Sequence, residues 1–450
     1  LRRRQWRHAA GLILGRIDGG VASRALIGVH SGPTSVHFGV AMSSPTWSPR
    51  LWALLLLLSA NMLLDALEVS TTVIGMPSIG AGLHLSPSAT SLVMSGFALG
   101  FGGSILLGGR LAARFGRRRV YLGALLVFAA ASIAGGLAVD GPMLVATRVV
   151  KGICVALMTP AGLAIIANTF AEGPARNRAV SIYTLCGASG FSAGLLLSGA
   201  LTMISWRWTL LFSGPVALAL LLLGIGLIPG DDGPRPGPLR FGDGILASTK
   251  LLRSAAGAAA LNGPYWGFLL VVTFELQSGL GWSPLAAGFV LLPTSLPLML
   301  TAMYSGRIVA RFGPRRLIAA GSLSAFLGYA WYLGEGTPVR LAGILPTVLL
   351  VGIGFMLSFS ALHFQAIAGV PPSRQGVVSG VYQTSVQIGG VIMLGLVAFA
   401  TGPSHHPALL LVTAVAAAGL LVAVAGLVAG RPKATGGESW PPTRSKSLSS

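Results

Sequence analysis

Gly109-Arg110-Leu111-Ala112-Ala113-Arg114-Phe115-Gly116-Arg117-Arg118-Arg119 is the stretch whose reading decides the fold. It joins two apolar runs. It returns 197 positions later as Gly306-Arg307-Ile308-Val309-Ala310-Arg311-Phe312-Gly313-Pro314-Arg315-Arg316, with eight of the eleven residues identical and apolar runs again on both sides. Because the flanks repeat along with the motif, the chain reads as two homologous halves. Each carries a basic hairpin between its second and third hydrophobic segments.

The surrounding composition names the solvent. Of 450 residues, 53% are hydrophobic and 9% charged, too little charge to cover a soluble protein of this size. The chain is therefore expected to be an all-α membrane protein with the lipid bilayer as its partner. A net charge of +20 would suggest nucleic acid in a soluble chain. Here most Lys and Arg occupy short connections between apolar runs, as in cytoplasmic loops, so no nucleic-acid partner is expected. Cys154 and Cys186 fall inside apolar runs without ligand spacing, which reads as small buried side chains rather than a metal site or disulfide. No nucleotide loop, metal-ligand cluster or nucleophile motif is found, so neither an enzyme nor a cofactor is expected.

Twelve runs approach the ~20 residues that a ~30 Å hydrocarbon core demands. They span 52–77, 89–112, 119–138, 143–168, 178–201 and 208–228, then 255–277, 284–309, 316–333, 340–362, 376–400 and 407–429. The expected domains are two pseudo-symmetric six-helix halves, 51–228 and 255–429, joined by a Pro-rich linker over 229–254. Residues 1–50 read as a disordered basic extension with a native start at Met42, and 430–450 as a disordered tail. Loop by loop, 27 Lys and Arg fall on the side of the even-numbered connections and both tails, against two, Arg207 and Arg340, on the other. That bias places both termini in the cytoplasm of a cell-membrane protein.

Arg148 and Lys151 lie inside the fourth run, and Asp65 and Glu68 inside the first. At 1.5 Å per residue Glu68 sits about 14 Å and Asp65 about 18 Å from the outer end of their helix. Lys151 sits about 12 Å and Arg148 about 8 Å from the outer end of theirs. Each pair is spaced i, i+3 on one helix face, so the four are expected to meet as a neutral cluster. An ionised group in the bilayer costs at least ~2.5 kcal/mol. Such a cluster either locks two helices together or loads a proton on an acid whose cationic partners shift; the sequence leaves both readings open. Glu275 reads as either intramembrane or solvated at the outer mouth, and His363 as interfacial. Asn262, Tyr265, Trp266, Gln383 and Gln387 form a candidate substrate cavity, with packing as the bland alternative. Gly190, Gly194 and Gly199 form a small-residue face of the fifth run, for plain packing or for two halves that slide.

These residues resemble the major facilitator superfamily, and within it the drug:proton antiporter branch. The resemblance covers about residues 50–430. The doubled hairpin is similar to the family's loop signature, which assigns gating to Gly109, Arg110, Arg114, Gly116, Arg117, Arg118 and to Gly306, Arg307, Arg311, Gly313, Arg315. Leu67 to Ile79 resembles the branch's first-helix signature with Glu68 where Asp is usual. Leu144 to Pro160 resembles the fourth-helix signature with Lys151 where Gln is usual, and Gly190, Gly194 and Gly199 fit the antiporter signature although Leu195 replaces its Pro. The departures include Ala113 and Ala310, which stand where an acid is expected; the charge contact that acid makes must be absent or replaced. Fourteen helices are common in the branch; the short gap here argues for twelve.

The resemblance implies alternating access, with a substrate cavity between halves. It also implies proton-driven export of an amphipathic or cationic compound; the leading expectation is a small amphipathic or apolar molecule such as an antibiotic, and a monomer is expected. Glu68, perhaps assisted by Asp65, would carry the proton, and Arg148 would couple its release to substrate. Proton-linked uptake of an anionic metabolite, suggested by Lys151 as a second cation, and a non-transporting membrane scaffold or receptor are the alternatives.

Overall fold

A computed structural model describes residues 47–230, 248–335, 341–400 and 405–428. The expected extension and tail, the start at Met42 and most of the linker lie outside the described residues. Eleven helices are long and apolar enough to cross a membrane, and one bent pair supplies the twelfth span. In chain order they are α1 Pro49–Gly82, α2 Pro87–Phe115, α3 Arg117–Gly136, α4 Gly141–Thr169, α5 Pro174–Ile204 and α6 Trp206–Leu227. The second half holds α7 Thr249–Phe274, α8 Pro284–Thr294 with Leu296–Phe312, α9 Pro314–Gly334, α10 Leu341–Ile367, α11 Pro372–Ala400 and α12 His406–Val428.

The starts are written locally. Ser48, Ser86, Asp140, Ser205, Ser248 and Ser283 each accept an amide N–H of the first turn they precede, and Pro follows at N1 or N2 in α1, α2, α4 and α8. Ser248 starts α7 at Thr249, six residues before the expected 255, and Leu251 is already buried. The basic hairpins shrink to single residues. Gly116 at φ 96° and Gly313 at φ 78° reverse the chain directly between α2 and α3 and between α8 and α9, a backbone conformation open mainly to glycine.

The twelve-helix expectation holds, with one difference in shape. The eighth run, expected as continuous over 284–309, is bent by 46°. Pro293 and Pro297 remove two helical donors, and tight turns at Leu292–Thr294 and Ala302–Tyr304 replace regular helix.

The halves repeat the same pairings: α1 packs on α5 as α7 does on α11, and α3 on α4 and α6 as α9 does on α10 and α12. Between halves, α2 meets α11 and α5 meets α8, the two contacts that exchange under the repeat. At the end away from the basic turns a shared apolar core joins them, with Ile74 and Met76 of α1, Leu195 of α5, Val272 of α7 and Ala287 and Leu291 of α8 all buried. That end is shut further by Gln277 Nε2 donating to Ile74 O at 2.9 Å.

Candidate functional site

Toward the basic turns the halves part around a cavity of about 800 Å³. It extends from Val69 and Trp266 at its deep end to Gly109, Ala112, Arg117 and Gln375 near the turns. The five residues expected in a cavity all line it: Asn262, Tyr265 and Trp266 from α7, Gln383 and Gln387 from α11. Part of its wall is a linked aromatic cluster. Phe191 lies 6.0 Å from Tyr265 and 5.8 Å from Trp266, Tyr265 4.5 Å from Phe355, and Phe355 5.1 Å from Phe359 (ring centroids). Sequence reasoning missed the three phenylalanines, because a Phe in a spanning run carries no mark of which face it takes. Such a wall accepts flat apolar groups through area and ring geometry, while a few amides and hydroxyls orient the guest.

His363, expected at the interface, sits in the cavity wall with Nε2 3.2 Å from Ser379 Oγ. Glu275, left between two readings, is half-buried in a wide helical turn at the closed end and accepts from Tyr332 Oη at 2.6 Å.

The four intramembrane charges do not form the expected single cluster. Glu68 takes both cations through one oxygen: Oε2 lies 2.9 Å from Arg148 Nη1 and 2.5 Å from Lys151 Nζ. Arg148 also donates to Val93 O at 3.4 Å and Glu68 O at 3.3 Å, with its guanidinium 4.7 Å from the Phe97 ring. Lys151 donates to Ser213 Oγ at 3.1 Å and lies 4.9 Å from the Phe128 ring. This knot ties α1 and α4 to α2, α3 and α6, and all three charged side chains are 1% exposed or less. Asp65 stands apart. Its Oδ2 accepts from Asn61 Nδ2 at 3.4 Å, its Oδ1 has no hydrogen-bond partner, and it lines the cavity while only 3% exposed. The separation is geometric: three residues advance the helix by 300°, so Asp65 and Glu68 diverge enough for one to face α4 and the other the cavity.

Gly109 and Arg117 line the cavity, and Arg118 Nη2 donates to Ile225 O at 2.5 Å, tying α3 to α6. Arg110, Arg114, Gly306, Arg307, Arg311 and Arg315 are exposed on the same end of the bundle. Gly190 and Gly194 do not face the other half: a Cβ on Gly190 would come within 2.6 Å of Leu63 O, and one on Gly194 within 3.0 Å of Leu67 O, both in α1. Gly199 does face it, against Leu285 Cα and Pro284 O of α8.

Residues 58–394 match the family described as Major Facilitator Superfamily. The chain belongs to the major facilitator superfamily. Its twelve spans, inter-half cavity and repeated basic turns are this family's architecture, and members of the superfamily are membrane transporters of small molecules. It is 31% identical to the puromycin resistance protein pur8 of Streptomyces alboniger, over 77% of this chain and 81% of that one. It is 29% identical to the cephamycin export protein CmcT of Amycolatopsis lactamdurans, over 78% and 85%. The multidrug efflux pump LfrA of Mycolicibacterium smegmatis is 26% identical, over 78% and 81%. Among solved structures, a bacterial homologue of the human lysosomal transporter Spinster, in an inward-facing and occupied conformation, superposes with a TM-score of 0.66 at 20% identity over 85% of this chain and 95% of that one, a likeness of fold.

Proposed function

We propose that this chain exports a small amphipathic or apolar compound across the cell membrane in exchange for protons, by alternating access. The observation that carries the reading is the one-ended cavity: roomy, with an aromatic cluster in its wall, open toward the basic turns and shut at the far end by a core shared between the halves. Antibiotic resistance or export, and in one case multidrug efflux, in the names of relatives that align over most of both chains supports the same cargo class. The 27 Lys and Arg that the sequence assigns to the even-numbered connections and both tails argue for cytoplasmic termini and for a cavity that faces the cytoplasm. Residues 51–228 and 255–429 would then rock against each other as units of a monomeric transporter with no enzymatic step. Within this reading Asn262, Tyr265, Trp266, Gln383 and Gln387 hold the cargo, the Glu68, Arg148, Lys151 and Asp65 group couples it to protons, and the two basic turns gate.

Uptake of an anion is disfavoured by one contact: the second cation, Lys151, is spent on Glu68 and Ser213 rather than presented to the cavity. Everted membrane vesicles test the direction. Under an imposed inward-acidic gradient, vesicles containing the protein should accumulate puromycin or another amphipathic drug, and an uncoupler should abolish the gain. Accumulation confined to right-side-out vesicles would overturn export.

A further inference from the structure

The resemblance puts the travelling proton on Glu68, and the geometry points elsewhere. Glu68 is 0% exposed, and its Oε2 is in contact with two cations that are themselves buried. A proton there would leave Arg148 and Lys151 without a counter-charge in a low-dielectric interior, the arrangement that buried ion pairs resist most strongly. Asp65, one helical turn away on α1, has neither cation. It lines the cavity, which Glu68 does not, and its Oδ1 is a buried acceptor without a donor, as is Oε1 of Glu68. Buried acceptors in native proteins are nearly always matched, and of these two carboxyl groups only that of Asp65 borders the cavity, where a proton, a water or a group on the cargo can reach it. The groups around it do not compete. Asn61 donates from its own helix, and Tyr121, Cys154 and Tyr183 lie within electrostatic reach from α3, α4 and α5. Arg117 and His363 belong to the same cavity, Arg117 at its turn-bearing end.

We propose that Asp65, not Glu68, is the acid that exchanges its proton during transport, and that Lys151 is the positioning residue that confines the exchange there by committing Glu68 to a two-cation ion pair. The assignment rests on the proton-coupled reading above and deepens it. An O–H bond forms on Asp65 when its carboxylate meets the proton-rich side. It breaks toward cavity water as cargo donors approach Oδ1, so proton and cargo use one oxygen in turn and no further reactant is required. Lys151 is thus the substitution that moves the switch: with Gln at this position, Glu68 would keep one cation and share the exchange.

Dicyclohexylcarbodiimide, which reacts with protonated carboxyl groups in apolar surroundings, tests this without any cargo. The full-length protein in liposomes is labelled across pH and the adduct located by tandem mass spectrometry. Asp65 should carry at least about tenfold more label than Glu68, the ratio of a one-unit difference in proton affinity. Label mainly on Glu68, or on neither, overturns the assignment. In Lys151→Gln the label on Glu68 should rise about tenfold; an unchanged pattern overturns the role of Lys151. In proton-driven vesicles Asp65→Asn should lose uncoupler-sensitive accumulation, and retained accumulation would also overturn the assignment. Wrong transport polarity in wild-type vesicles, with label still on Asp65, would sink the export reading alone.

Discussion

A single carboxylate oxygen at Glu68 is in contact with two buried cations. Glu68→Gln leaves two unpaired charges and should cost about 3–5 kcal/mol, the usual penalty for breaking a buried pair from one side. Asp65→Asn breaks no ion pair and should shift stability by roughly 1 kcal/mol or less. Thermal unfolding of the two purified variants in one detergent checks the ordering; equal melting points would contradict it. In the sequence, i, i+3 spacing and depth do not separate the two acids, and the family resemblance favours Glu68. Which one meets α4 depends on helix rotation, and rotation is set by packing.

Among the elements, the reversals between α2 and α3 and between α8 and α9 rest on glycines with positive φ. Gly116→Ala and Gly116→Asn should both destabilise by about 1–3 kcal/mol through backbone strain, since ψ 144° lies outside the left-handed helical region that Asn tolerates. Reduced heat stability of both variants relative to the wild type is the expected measurement. Close approach is the second device. A Cβ at Gly190 would meet Leu63 O at 2.6 Å and Ala66 Cβ at 2.7 Å, so Gly190→Val should force α5 away from α1 and cost about 1–3 kcal/mol by overpacking. By contrast Gly103 faces open space, and Gly103→Ala should be neutral or slightly stabilising in the same assay.

Across the whole molecule, transport by rocking requires the contact between α5 and α8 to open. Ser192 Oγ and Ser295 Oγ are 2.8 Å apart across that seam, close enough for a disulfide once both are cysteine. With Cys154 and Cys186 replaced, Ser192→Cys with Ser295→Cys should cross-link under mild oxidant, stop transport, and recover with reductant. Full transport through a completely cross-linked protein would rule out this hinge.

From the chain alone came the solvent, the number of spans and the repeat with its basic turns. These depend on run length and charge placement, which are one-dimensional properties. The five candidate cavity residues were legible because amides and aromatics stand out inside apolar runs. Folding alone decided that Phe191, Phe355 and Phe359 form the wall, that α8 bends, that Gly190 and Gly194 serve α1 rather than the other half, and that Asp65 parts from Glu68. Each turns on which face of a helix is buried against which neighbour, and in a uniformly apolar span no amphipathic pattern records that choice.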